Sequence, residues 1–267
     1  MTDIDLRYCV RQVPMKILML GFPRTGTISL KTALERLGYH SVYHGFEALN
    51  VNPRDCEMWW AALQAKYHGK GELFGRKEFD RLLGHCQVVS DLPALCFAED
   101  LIKAYPEAKV ILTVRDVEKW HKSVSNSLMQ QQENLPYIFW PMLMLDHVLR
   151  MPWRWSNLCM RKAKFILWGD DFQKNGRSAL KKHYARIQSL VPADRLLLYH
   201  ASEGWGPLCE FLGQAIPPFP VPRLNDAEMF HKKHFVRKMY HVIRYAARIA
   251  EVAAFMSLLI LLGVVMH

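Results

Sequence analysis

Short apolar runs alternate with segments of helical spacing through most of the chain. The runs predict five strands, at residues 16–20, 41–44, 87–90, 109–114 and 195–199. After the first run, apolar residues at positions 30, 33, 34 and 37 share one face of a helix, and other helices are predicted between the later strands. Strands that alternate with helices at short spacing are typical of a parallel sheet covered by helices on both faces. The predicted fold class is therefore α/β.

Residues 128–168 depart from this pattern. They are rich in tryptophan, methionine and basic residues, and no acidic residue lies between Asp146 and Asp170. We expect a helical insertion over the sheet edge, at about residues 128–190, which covers a substrate as a lid. Ordinary helical packing with a solvated basic face is the alternative.

The C-terminal residues predict a separate apolar helix. Residues 252–266 carry no charge, but these fifteen residues are too few to cross a bilayer, which needs about 20 helical residues. Extending the stretch back to Ala246 brings in Arg248 and Glu251, which lie three positions apart and can pair on one helix face. The extended stretch is long enough for a transmembrane helix.

A basic segment precedes this helix, because no acidic residue lies between Glu228 and Glu251. A basic flank before a terminal apolar helix favours a membrane anchor with the bulk of the protein on the cytoplasmic side. We therefore divide the chain into a catalytic domain, residues 1–226, and a tail, residues 227–267, made of a basic linker and a hydrophobic helix at about 246–266. A helix packed on the domain or on a second subunit is the alternative.

Composition narrows the classes of function. The chain has 267 residues, 51% of them hydrophobic, which suits one globular domain with an appendage. Its net charge of +10 favours acidic ligands or an anionic membrane surface, and we expect no nucleic-acid partner. Six cysteines lack paired spacing, so we expect reduced core residues and no metal site. The acidic N-terminus lacks the apolar segment of a secretory signal.

The turn at residues 21–27 joins the first predicted strand to the first predicted helix. It gathers backbone N–H groups, hydroxyls and Arg24 at a helix N-terminus, where the helix dipole favours an anion. We predict a phosphate-binding loop. Its glycines are spaced as in a nucleotide triphosphatase loop, which continues with lysine and then serine or threonine. This chain has Thr27 and Ile28 there, so a kinase or triphosphatase is disfavoured.

Four segments carry a resemblance to one family. Pro23-Arg24-Thr25-Gly26-Thr27 resembles the phosphosulfate-binding loop of sulfotransferases, which use 3′-phosphoadenosine 5′-phosphosulfate. Arg115 at a strand end, with Ser123 eight residues on, resembles the family's 3′-phosphate element. Ser90-Asp91-Leu92-Pro93 resembles the stretch in which cytosolic members carry a histidine base, and residues 195–213 resemble a late strand and helix. The resemblance covers about residues 16–225, although the late basic element of cytosolic members is not recognisable.

The resemblance implies a P-loop-type parallel sheet flanked by helices and a site for the phosphosulfate donor. It assigns the 5′-phosphate to the loop and Ser29, and the 3′-phosphate to Arg115 and Ser123. The implied donor-binding residues are Pro23, Arg24, Thr25, Gly26, Thr27, Ser29, Arg115 and Ser123. Arg24 also stabilises the reacting oxygens, a role that the family often gives to lysine.

Two residues compete for the role of general base. Asp91 occupies the family position, although it is equally suited to cap a helix before Pro93. His44, at the end of the second strand, is the rival. The implied activity is sulfuryl transfer to a hydroxyl acceptor, either a small molecule or a lipid. A catalytically degenerate nucleotide-binding protein docked at membranes is the alternative.

Overall fold

A five-stranded parallel sheet lies at the centre of the fold. The computed structural model describes residues 2–129, 136–222, 224 and 227–265, apart from the side chains of 136–139, 227–234, 238 and 258–265. The strands are β1 (Ile17–Met19), β2 (Val42–Tyr43), β3 (Val88–Ser90), β4 (Lys109–Thr113) and β5 (Leu196–Tyr199). They lie in the order β2-β3-β1-β4-β5, and every pairing is parallel. The predicted α/β class is confirmed.

Helices cover both faces of this sheet. They are α1 (Thr27–Arg36), α2 (Asp55–His68), α3 (Arg76–Leu83), α4 (Ala98–Ala104), α5 (Val117–Val124), α6 (Pro136–Val148), α7 (Ser156–Trp168), α8 (Phe172–Leu190), α9 (Trp205–Leu212) and α10 (Ala227–Val265). A 3₁₀ turn, Ala94–Phe97, precedes α4, and a π turn, Ser125–Met129, continues α5.

The central strand β1 contributes side chains to both hydrophobic cores. Successive strand residues point to opposite faces, so Leu18 enters one core while Ile17 and Met19 enter the other. The first core contains residues of α2 to α5, α7 and α8, and the second contains residues of α1 and α9. Leu18 lies opposite Val89 on β3 and Val110 on β4, so apolar side chains flank it within the sheet.

The tail is a long helix, not a linker followed by a helix. Helix α10 already begins at Ala227, whereas the sequence predicts its start near Ala246. Contacts with the α6–α7 region explain the difference, because the His241 ring stacks on Trp153 with centroids 3.9 Å apart, and the Tyr245 hydroxyl donates to buried Asp146. Propensity along the chain cannot show such tertiary contacts.

The expected pair in this helix forms, since Arg248 lies 2.6 Å from Glu251. Within the part of the chain that the structure describes, no helix is long and apolar enough to cross a membrane. The prediction of a transmembrane helix is therefore not supported. The side chains of residues 258–265 and all of residue 266, which belong to the predicted apolar stretch, lie outside the described part.

Candidate functional site

The predicted phosphate loop joins β1 to α1 at the carboxyl ends of the strands, where open α/β sheets bind ligands. Two of its positions require glycine. A Cβ on Gly21 would lie 1.8 Å from the Thr113 hydroxyl, so glycine lets the loop pass directly over the end of β4. Gly26 has φ 102° and precedes the first residue of α1, and a Cβ there would also meet Ala201 at 2.9 Å. The loop thus packs closely against the end of β4 and against Ala201.

Arg24 connects the loop to the segment after β4. Its side chain is 8% exposed, and its Nε donates to the Ser123 hydroxyl at 3.2 Å. Its main-chain oxygen accepts a hydrogen bond from Arg115 Nη1 at 2.7 Å. Pro23 is held from the same side, because Trp120 Nε1 donates to its carbonyl oxygen at 2.9 Å. The residues assigned to the 5′- and 3′-phosphates therefore lie in direct contact.

The loop hydroxyls make contacts that the sequence does not predict. Buried Thr25 donates to the Phe22 carbonyl at 2.7 Å and lies against the Thr113 hydroxyl, so its own hydroxyl stabilises the loop. Ser29 Oγ donates to Leu224 O at 2.8 Å and accepts from Leu224 N at 3.0 Å, which connects α1 to the segment between α9 and α10. The phosphate-binding roles of Thr25, Gly26, Thr27 and Ser29 stay predictions.

His44 and Asp91, the two competing bases, form a pair. His44 Nδ1 lies 3.2 Å from Asp91 Oδ2, and the histidine ring is buried. The other ring nitrogen, Nε2, lies 3.1 Å from Thr27 Oγ1 at the start of α1. His44 therefore lies in close contact with Thr27 of the predicted phosphate loop and with the Asp91 carboxylate, and its Nδ1 also accepts a hydrogen bond from Phe46 N at 3.3 Å. The capping role of Asp91 is not seen, because no side chain caps the turn at Ala94–Phe97.

The backbone around this pair is tightly constrained. Asp91 has φ 63°, a left-handed conformation that costs free energy for a residue with a side chain. A Cβ on Gly45 would lie 2.6 Å from Leu92 O and 2.8 Å from Asp91 Oδ2, so only glycine allows the two strand ends to approach this closely. Asp91 Oδ1 is buried and has no hydrogen-bond partner among the described residues. An unsatisfied buried carboxylate oxygen is costly, and is often explained by function.

Three further residues belong to this region, and sequence reasoning did not identify them. Thr113 is a polar residue at the end of an apolar strand, which is a usable signal. Gly45 follows His44 directly, but nothing local distinguishes it from a turn glycine. The ring of His183 on α8 packs against Phe22 in a tilted arrangement, its Nε2 lies 2.6 Å from Leu20 O, and burial lowers its pKa. No signal in the sequence of α8 marks this histidine. Among the described residues, no group of three or more potential ligands could hold a metal ion.

The fold and the loop define an α/β protein whose predicted phosphate loop lies at the carboxyl ends of its parallel strands. A family described as "Sulfotransferase domain" matches residues 16–230. Ava biosynthesis cluster protein M of Aspergillus versicolor is 35% identical over 242 residues, which cover 88% of this chain and 91% of that protein. The chain belongs to the sulfotransferase domain family, and the resemblance seen in the sequence is confirmed.

One solved structure is also similar. It is the crystal structure of sulfotransferase STF9 from Mycobacterium avium, with a TM-score of 0.34 and 12% sequence identity. The match covers 78% of this chain and 66% of that chain, which is just under two thirds of its length.

Proposed function

We propose that this protein transfers a sulfuryl group from 3′-phosphoadenosine 5′-phosphosulfate to a hydroxyl acceptor. Membership of the family supports sulfuryl transfer in general, and the donor and acceptor are the proposal. One arrangement carries it, namely the contact of Arg24 with Ser123 and Arg115 beside the His44–Asp91 pair. Cationic and hydroxyl groups for two phosphates thus adjoin a group that can accept a proton.

The residues present fit a donor with two phosphate groups. The N-terminus of α1 offers N–H groups and the positive end of the helix dipole to the 5′-phosphate. Arg24 adds a guanidinium, which binds phosphate or sulfonate oxygens in bidentate fashion. Arg115 follows β4 and Ser123 lies on α5, and both residues contact Arg24 of the loop. A triphosphate would lack both a lysine at position 27 and a magnesium-binding hydroxyl at position 28.

The donor supplies an activated sulfuryl group, and the protein supplies orientation and charge. The acceptor oxygen forms a bond to sulfur while the bond from sulfur to the bridging oxygen breaks and leaves its electron pair on the phosphate. Arg24 stabilises that charge, since a donor aimed at developing charge acts more strongly in a site that excludes water. The proton of the acceptor hydroxyl passes to the His44–Asp91 pair, a step that typically accelerates a reaction by about 10²- to 10⁴-fold.

The acceptor is expected to be a small molecule or a lipid that carries a hydroxyl group. The test is incubation of the protein with the donor and a panel of alcohols, phenols, sterols and lipids presented in vesicles. Release of adenosine 3′,5′-bisphosphate that depends on one acceptor class supports the proposal. Tight binding of the bisphosphate without turnover by any member of the panel favours a degenerate nucleotide-binding protein. Stabilisation by ATP with Mg²⁺, and none by the bisphosphate, contradicts the proposal.

A further inference from the structure

Lys164 on α7 lies between the two halves of the candidate site. Helix α7 contacts the turn that follows Asp91, because Cys96 Sγ donates to Ala163 O at 3.6 Å. The next side chain along the helix, Lys164, donates from Nζ to Leu128 O at 3.3 Å. Leu128 belongs to the π turn that continues α5, the helix that carries Ser123. The ammonium of Lys164 is therefore held on the segment that continues α5, while the helix backbone beside it contacts the turn that follows Asp91.

The charges around Lys164 support this position. The pKa of Lys164 is lowered to about 8, chiefly by burial and then by Arg237 and Arg161, while Asp91 acts in the opposite direction. The Asp91 carboxylate is thus near enough to interact electrostatically with the ammonium. Each partner keeps unused hydrogen-bonding capacity, since Asp91 Oδ1 has no partner among the described residues. For Lys164 Nζ, Leu128 O is the one acceptor found in the described part of the chain, although an ammonium has three donors.

We propose that Lys164 is a further catalytic residue, whose ammonium contacts the oxygens of the sulfuryl group during transfer. The inference rests on the proposed function. In an in-line transfer, sulfur lies between the acceptor oxygen beside Asp91 and the leaving oxygen beside Arg24. Lys164 Nζ is bonded to the segment that continues α5, and the neighbouring residue Ala163 contacts the turn that follows Asp91. The oxygens on sulfur carry negative charge throughout, and Lys164 keeps its proton while the acceptor proton goes to the His44–Asp91 pair.

A lysine and an arginine supply different kinds of cation to the site. Arg24 Nε is already engaged with Ser123, and its planar guanidinium points in fixed directions. An ammonium on a flexible stem can follow oxygens that move as sulfur passes from one partner to the other. Lys164 thus supplies a mobile cation, whereas Arg24 supplies a fixed one on the donor side.

The test compares two ligands that differ only in the sulfuryl group. Calorimetry measures the binding of 3′-phosphoadenosine 5′-phosphosulfate and of adenosine 3′,5′-bisphosphate to the full chain. Lys164→Met should weaken binding of the phosphosulfate by about 10- to 100-fold, because a charge-assisted hydrogen bond is lost. It should leave binding of the bisphosphate unchanged. Lys162→Met is the matched control, since Lys162 is on the same helix with its Nζ 5.0 Å above the Phe165 ring.

A second variant separates charge from shape. At about pH 9.5, above the pKa of Lys164, the wild-type protein should lose its preference for the phosphosulfate, whereas Lys164→Arg keeps its charge and its preference. The charged groups that act on Lys164 are Asp91 from the end of β3, Arg161 of α7 and Arg237 of α10. If Lys164→Met does not fold, this comparison still decides the question.

The outcomes distinguish the two proposals. If the wild-type protein binds neither ligand, the proposed function is wrong and the role of Lys164 falls with it. If the wild-type protein binds both ligands and Lys164→Met binds the phosphosulfate as tightly, only the role of Lys164 is wrong. Equal weakening of both ligands also overturns it, because the lysine would then contact a phosphate shared by both.

Discussion

Gly45 offers a direct perturbation of the His44–Asp91 pair, because it touches the pair without being part of it. In Gly45→Ala the new methyl group would lie 2.6 Å from Leu92 O and 2.8 Å from Asp91 Oδ2, both well below van der Waals contact. The carboxylate or the backbone must move, and overpacking of this kind typically costs about 1–3 kcal/mol of stability. The 3.2 Å contact between His44 Nδ1 and Asp91 Oδ2 is then lost or lengthened.

The assay has two parts. Urea unfolding should show the loss of stability, and donor-dependent turnover should fall by about 100-fold or more, since the base is displaced. Gly206→Ala is the matched control, because nothing lies within 4 Å of a Cβ at that position. Gly206 is in helix α9, so its replacement should leave turnover unchanged and raise stability by about 0.4–1 kcal/mol. If Gly45→Ala is as stable and as active as the wild-type protein, the close approach of the two strand ends has no functional role.

Three other predictions follow from single contacts. Asp91→Asn and His44→Asn should each lower kcat by about 10²- to 10⁴-fold, and unchanged turnover in both would exclude the pair from the mechanism. Burial raises the pKa of Asp55 from 3.8 to about 7, so its contribution to stability is complete below about pH 4 and is lost as the pH rises through 7, by up to about 4 kcal/mol. Asp55→Asn should flatten this decline in urea unfolding between pH 4 and 8, and an unchanged slope would contradict the assignment. Tyr245→Phe removes the hydroxyl that donates to buried Asp146 and should cost about 1–3 kcal/mol in urea unfolding, whereas no loss would mean that α10 is not held by this contact.

The strands could be predicted from the sequence because each is a short apolar run that ends in a turn. The loop at residues 21–27 could also be predicted, because its glycines, hydroxyl groups and arginine lie next to one another in the sequence. The pairing of His44 with Asp91 could not. It arises because β2 and β3 are neighbours in the sheet, with Tyr43 opposite Val89, so the residues that follow each strand meet. That adjacency is a property of the topology and has no local signal.

The tail shows a different limit of sequence reasoning. Its basic residues suggest a solvated linker, yet α10 runs from Ala227 because aromatic and polar contacts hold it to the insertion. In the sequence, Lys164 is one of several basic residues in the predicted insertion, and nothing local distinguishes it from the others. Its position near Asp91 depends on how α7 packs on the turn after β3, which requires the tertiary structure.

The central claim is that the loop and the end of β4 together hold two phosphates. The most direct measurement is the calorimetric affinity for adenosine 3′,5′-bisphosphate and for AMP, in the wild-type protein and in Arg115→Ala. The wild-type protein should prefer the bisphosphate by about 10- to 100-fold, through charge-assisted hydrogen bonds to the 3′-phosphate, and Arg115→Ala should bind both ligands equally. Equal affinity of the wild-type protein for the two ligands would contradict the account, because Arg115 would then bind no phosphate.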